Sequence, residues 1–488
     1  MARRDNPRPA GSVALICFLP DYGHLQPLLK IADALAERGY AIKCYVPAEC
    51  EPLMRRFEFD VTLLPGAQLA EQKKLLAGVF ARGLFFNAVC SYVHYLLCYP
   101  PVAAAASGFA QQLARQLTAQ RPDVIVCDGH FFGDWCVRIA GSLGVPLVIN
   151  SLDGSLAYNQ RTFVQIYGAT AASSFVQSSV EAAAAALKQL CAHYYRLRFF
   201  PTWYRLRATK HAARAALDAA FPLAPEATPA RIERVVVGTA KVERDRLTGS
   251  IRTIGANRPE FPPIGFRTRA PIPEALSEWI ARGGDTPVVY VSFGSAVEFE
   301  RSFAIAVYEG LRNVPARVLW SLPANQKALL AGLPPADNIR LENFVPQAEV
   351  LAVPAVRCFI TQAGPNSVQE ALLGGTPMLC IPFFADQGYN SATVEHLRVG
   401  RKLWHRAVSA QSVGAAVMDI LANDSYRAAA ADIKKQLLRE DGGELIARYI
   451  AAVASRGETR QSDPERERFA GAAGSAIATA AYSGEITK

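Results

Sequence analysis

The chain has 488 residues, 51% hydrophobic and 19% charged, with a formal net charge of +9. That length is more than one ordinary core can use and predicts two domains of a soluble globular protein. It excludes a membrane-spanning protein, because the nearest apolar run, Tyr92–Ala110, is broken by Pro100 and Pro101 and carries His94. The positive charge comes without a nucleic-acid-binding motif, so nucleic acid is not expected as a partner. Ten cysteines lie scattered without C-x-x-C spacing, which reads as free thiols in a reducing compartment rather than a zinc site. VALICFL, after a basic N-terminus, stops at Pro20-Asp21 and suits a first core strand better than a secretory leader. Cytoplasm is therefore the expected location.

In chain order, Val13–Leu19 predicts a buried strand, Gln26–Arg38 an amphipathic helix stopped by Gly39, and Ala41–Val46 a second strand. The intervening loop, Pro20 to Pro27, carries Gly23-His24. A histidine beyond the carboxyl end of a parallel strand sits where such sheets bind ligands. Imidazole, with an unperturbed pKa near 6.5, suits removal of a proton from an attacking hydroxyl. The plainer alternative is a helix cap. A second unit follows at Asp123–Cys127, Phe131–Leu143 and Pro146–Asn150. Asp128 ends its first strand, placed either to fix the tautomer of His24 or to cap the next helix, with His130 and Asp134 as nearby competitors. Phe86, Tyr92, Tyr158 and Phe163 are candidates for an apolar pocket or for the core. The helical region Gln160–Phe221 contains Lys188–Arg214, where basic and aromatic residues interleave. It reads equally as an anchor for peripheral membrane contact and as an aromatic lid, with Pro201 breaking the helix.

Thr253–Pro273 has the Pro/Arg/Gly composition of a linker. The second half restarts with strands at Val288–Phe293, Arg317–Ser321, Phe359–Thr361 and Met378–Ile381. Alternating strands and helices predict parallel sheets covered on both faces: two Rossmann-like α/β domains facing across a cleft. The expected boundaries are 1–255, a linker at 256–274, 275–442, and 443–488 as a returning helix and tail. No G-x-G-x-x-G follows the first strand, which argues against a nicotinamide oxidoreductase. Ala363-Gly364-Pro365 turns the chain into a helix over Val368–Leu373, with Asn366 and Ser367 in capping positions. A helix N-terminus behind a glycine turn offers backbone N–H groups and about half a positive charge, which suits a diphosphate. Asp386-Gln387, at the next strand tip, would reach a sugar attached to it.

Phe344-Val345-Pro346-Gln347, Thr361 through Ser367, Glu370 and Asp386-Gln387 stand in the order of a known signature, with Gly23-His24-x-x-Pro27 and Val126-Cys127-Asp128 ahead of them. In this the chain resembles the UDP-dependent glycosyltransferases, an inverting family with the GT-B fold. The resemblance implies transfer of a sugar, glucose by expectation, from a UDP or dTDP carrier to a hydroxyl of a hydrophobic small molecule, with no metal or cofactor. His24 would be the base and Asp128 its orienting partner. Phe344 would stack on the nucleobase, Gln347 bond it, and Glu370 bond the ribose. Ser295, Gln362, Gly364, Asn366 and Ser367 would hold the diphosphate, and Asp386 and Gln387 the sugar. Gln362 departs from the family's histidine, Ala363 from its glycine or cysteine, Phe344 from its tryptophan, and Pro365 removes an N–H from the turn. These departures leave open a degenerate member that binds nucleotide sugar without efficient transfer.

Overall fold

The computed structural model describes residues 9–20, 22–66, 87–129, 133–150, 200–222, 232–237, 260–261, 264, 271–294, 297, 299–383, 387–439 and 441–455. Strands β1 (Gly11–Ile16), β2 (Tyr40–Pro47), β3 (Asp60–Leu64), β4 (Val124–Asp128), β5 (Leu147–Asn150), β6 (Ile232–Val237) and β7 (Glu260–Phe261) form one sheet, ordered β3-β2-β1-β4-β5-β6-β7. Strands β8 (Val288–Ser292), β9 (Arg317–Ser321), β10 (Ile339–Glu342), β11 (Val356–Thr361), β12 (Met378–Cys380) and β13 (Gly400–Lys402) form the other, ordered β10-β9-β8-β11-β12-β13. Pairing in both is parallel. The inner strands β4, β5, β8 and β12 are buried along their whole length because helices cover both faces of the sheets. In β1, Ala14 and Ile16 join one buried cluster while Val13 and Leu15 join the other, as alternation along a strand requires.

The helices used below are α1 (Tyr22–Glu37), α2 (Asn87–Ala119), α3 (Gly133–Leu143), α4 (Phe200–Ala220), α5 (Arg301–Leu311), α6 (Gln347–Leu351), α7 (Pro365–Gly374), α8 (Gln387–His396), α9 (Ala410–Ala422), α10 (Asp424–Leu437) and α11 (Gly442–Ser455). In α1, Leu25, Leu28, Leu29, Ala32 and Leu35 recur at three- and four-residue spacing and are buried against the first sheet. Gly39, at φ 83°, ends the turn after it in the left-handed region, which glycine enters without strain.

Several boundaries differ from the sequence reading. Helix α1 begins four residues before Gln26, so His24 lies in its first turn rather than in a loop. Pro27 is inside the helix and has no N–H to give to the carbonyl of Gly23 one turn back. Helix α2 runs through Pro100 and Pro101, and Pro201 is the second residue of α4, an opening position that needs no N–H. No helix among the described residues is long and apolar enough to cross a membrane. Part of the expected linker is not linker: β7 pairs with β6, and Ile264 is buried in the first domain.

Gly442-Gly443 opens α11, whose first N–H groups are capped by Asp441 Oδ1 at 2.9 Å from Gly443 and 3.1 Å from Glu444. Helix α11 lies against α1, and its Ile446, Ala447, Ile450 and Val453 are buried in the first domain's cluster.

Candidate active site

Both sheets reverse strand order at one seam, between β1 and β4 in the first and between β8 and β11 in the second. In open α/β sheets that reversal leaves a crevice beyond the carboxyl ends of the strands. The first seam holds His24, after β1, and Asp128, the last residue of β4. His24 Nδ1 and Asp128 Oδ2 are 3.1 Å apart, with Asp128 buried and the histidine side chain 18% exposed. The carboxylate therefore orients the ring and turns Nε2, the other nitrogen, to the far side. Asn150, which the sequence reading passed over, ends β5 in register with Asp128. It is fully buried. Neither its amide oxygen nor its amide nitrogen, nor Asp128 Oδ1, has a hydrogen-bond partner among the described residues.

The second seam is formed by the turns after β8 and β11. The N-cap of α7 is Gly364 and its first residue is Pro365, which corrects the placing of Asn366 and Ser367 as caps. Proline is tolerated there because that N–H has no intrahelical acceptor. The first intrahelical bond runs from Val368 N–H to the Gly364 carbonyl at 3.0 Å. The N–H groups of Asn366 and Ser367 precede it, at the positive end of the helix. Gln362 is buried, its Oε1 accepting from Thr361 Oγ1 at 3.1 Å. Its amide nitrogen lies so close over Gly294 and Gly364 that a Cβ at Gly294 would collide with it. Ala363 sits at φ 63°, a left-handed conformation that costs an L-residue about 1–2 kcal/mol and explains why glycine is at home there.

Glu370 projects from α7 and is buried rather than solvated. Its Oε2 accepts from Gln347 Nε2 at 2.8 Å and its Oε1 from Gln26 Nε2, on α1 of the other domain, at 2.9 Å. Lys30 Nζ, one turn further along α1, lies 4.0 Å from Oε1. Burial pushes the Glu370 carboxyl above the usual carboxylate range, opposed by the Lys30 ammonium and by the bonds from Gln347 and Gln26. Burial also lowers Lys30, opposed by Glu370. Gln347 Nε2 further donates to Ser367 Oγ at 3.2 Å, and its Oε1 accepts from Tyr290 at 3.3 Å.

The two domains meet at this place. Asn366 Nδ2 donates to the carbonyl of Gly23 at 3.2 Å, the group that Pro27 cannot serve. Phe344 is 49% exposed, and the guanidinium of Arg56, from the first domain, lies 4.1 Å from its ring centroid. The residues expected to hold base, ribose and diphosphate therefore converge on the histidine end of α1. Gln387 is less open than expected: it opens α8, is buried, and its Oε1 accepts from the Phe383 N–H at 2.8 Å. Ser295, Asp386, Tyr158, Phe163, Phe86 and His130, with residues 188–199 of the basic-aromatic stretch, lie outside the described residues, as do the side chains of Tyr92 and Asp134.

Two parallel α/β domains facing across such a seam define a GT-B fold. The structure of Os79 from O. sativa, solved with U2F and trichothecene, superposes with a TM-score of 0.63 at 18% identity, covering 91% of this chain and 100% of that one. SnogD from Streptomyces nogalater gives 0.58 at 16%, covering 91% and 99%. Residues 261–436, which span the second domain, match the family described as UDP-glucoronosyl and UDP-glucosyl transferase. UDP-glucuronosyltransferase 3A1 of Mus musculus is 33% identical over 162 residues, 33% of this chain and 31% of that protein. The ecdysteroid UDP-glucosyltransferase of Spodoptera littoralis nuclear polyhedrosis virus is 34% identical over 143 residues, 29% of this chain and 27% of that protein. The match thus spans about a third of the length of these relatives.

Proposed function

We propose that this protein transfers a sugar from a UDP-sugar to a hydroxyl of a hydrophobic small molecule, with inversion at the anomeric carbon. The observation that carries the reading is the His24–Asp128 pair at 3.1 Å on a helix whose Gly23 carbonyl is bonded by Asn366 of the signature. An acceptor hydroxyl would give its proton to His24 Nε2 while its oxygen bonds to the anomeric carbon. The bond from that carbon to the diphosphate oxygen breaks, and its electron pair leaves with UDP. Asp128 stabilises the imidazolium, and the Asn366 and Ser367 N–H groups meet the charge developing on the diphosphate. One base and one displacement give the inverted product. The names of the relatives favour glucose or glucuronate as the sugar.

The test is a thermal-shift series with UDP, dTDP and the glucose and glucuronate conjugates of UDP, followed by turnover with a panel of apolar hydroxylated acceptors. UDP and one conjugate should raise the melting temperature, and His24→Ala should lose about 10²–10⁴-fold in turnover while still binding UDP. Wild-type turnover by that variant would remove the proposed base.

A further inference from the structure

One face of α1 carries more than the histidine. Gln26 and Lys30 are four residues apart, so both side chains leave the helix on the same side. That side meets Glu370, and Lys30 and Glu370 are both almost fully buried. A lysine in such a place is expensive to desolvate, and an aliphatic residue would fill the seam at lower cost. The carboxylate has roughly four lone-pair positions. Gln26 and Gln347 take one on each oxygen, at 2.9 and 2.8 Å, and the ammonium approaches from 4.0 Å. About two positions remain, as many as a ribose has vicinal hydroxyls.

Resting on the glycosyltransferase reading, we infer that Gln26 and Lys30 are positioning residues for the ribose end of the nucleotide site. Through them the first domain, the side that holds the base, also aims the carboxylate that grips the nucleotide in the second. Neither residue touches the reacting atoms. Nucleotide binding thereby depends on the apposition of the two domains. The groups facing Glu370 are Lys30 from α1, Glu349 from α6 and Tyr290 from β8, besides the neutral amides of Gln26 and Gln347. Lys30 is the cation among the groups that shift Glu370, so its loss leaves the burial and the Glu349 charge less opposed.

The experiment is calorimetric titration of the full chain with UDP between pH 5 and 9, comparing wild type with Lys30→Met, Lys30→Arg and Gln26→Leu. Lys30→Met should weaken UDP about tenfold near neutrality and move the pH midpoint of affinity upward. The direction follows because a carboxyl that has lost its cation ionises only at higher pH. The terminal phosphate of UDP titrates alike in every variant and cancels in the comparison. Lys30→Arg should restore both affinity and midpoint. Gln26→Leu should weaken UDP about threefold to tenfold and move the midpoint upward by less than Lys30→Met does, because the Gln26 bond also favours the ionised carboxylate; it reads the same proposal if Lys30→Met fails to fold. A role confined to packing would lower the melting temperature and leave the midpoint in place; that result overturns the inference. So does unchanged affinity in both Lys30→Met and Gln26→Leu while wild type binds UDP. If wild type does not bind UDP, the nucleotide reading itself fails and this inference with it.

Discussion

One carboxylate oxygen of Asp128 faces His24 and the other meets no donor among the described residues, which fixes how the pair should fail. Asp128→Asn keeps the shape but offers an N–H where the imidazole needs an acceptor. The ring then takes the tautomer with its proton on Nε2, the nitrogen that should receive one. Turnover should fall about 10³–10⁴-fold with UDP affinity unchanged, measured by steady-state kinetics beside calorimetric titration. An equal loss of both would show that Asp128 supports the fold instead. His24 and Asp128 were singled out in the chain as polar residues at predicted strand ends and by the motifs Gly23-His24-x-x-Pro27 and Val126-Cys127-Asp128, and the structure brings the two side chains together. Gln26 and Lys30 were not, because they sit within an ordinary amphipathic repeat. Their partner stands 344 residues beyond Gln26, a distance that no local pattern bridges. Asn150 was silent for a related reason: a polar residue closing a buried strand looks like the start of a loop.

Helix α1 joins base to donor site, and its proline is part of the joint. With an alanine at position 27 the helix would regain an N–H for the Gly23 carbonyl, which would then compete with Asn366. A double-mutant cycle tests this. Asn366→Ala should cost about 0.5–1.5 kcal/mol of unfolding free energy in the wild-type background and close to nothing with Pro27→Ala present. Equal costs in the two backgrounds would mean that the bond from Asn366 is independent of the proline. The element itself was readable, but its start was misplaced. Proline and glycine before an apolar repeat usually mark a loop, and what keeps Tyr22 to Leu25 helical is burial of Leu25 against the first sheet together with an acceptor satisfied from another domain. Helix α2 shows the same limit, since it continues through the two prolines that interrupt its apolar run.

At the scale of the molecule, the second domain is inserted into the first. The chain leaves the first sheet after β7, builds β8 through α10, and returns with α11 to cover α1. Arg38 pairs with Glu444 at 2.8 Å and Tyr449 donates to Glu233 at 2.9 Å, both within the first domain. Removal of residues 442–488 should expose the groove that Ile446, Ala447, Ile450 and Val453 fill. At about 1.5–3 kcal/mol for each large aliphatic side chain, the loss is comparable with the whole stability of an ordinary domain. The truncated chain should bind a hydrophobic dye and melt at a lower temperature, and an unchanged melting curve would contradict the assignment of α11 to the first core. The insertion also orders events on the ribosome. Helix α1 emerges before the second domain, and α11, which packs against it, only after that domain is complete. The nascent N-terminal lobe therefore waits through synthesis of the whole second domain with an oily flank uncovered, which makes it a natural client for a chaperone until α11 arrives.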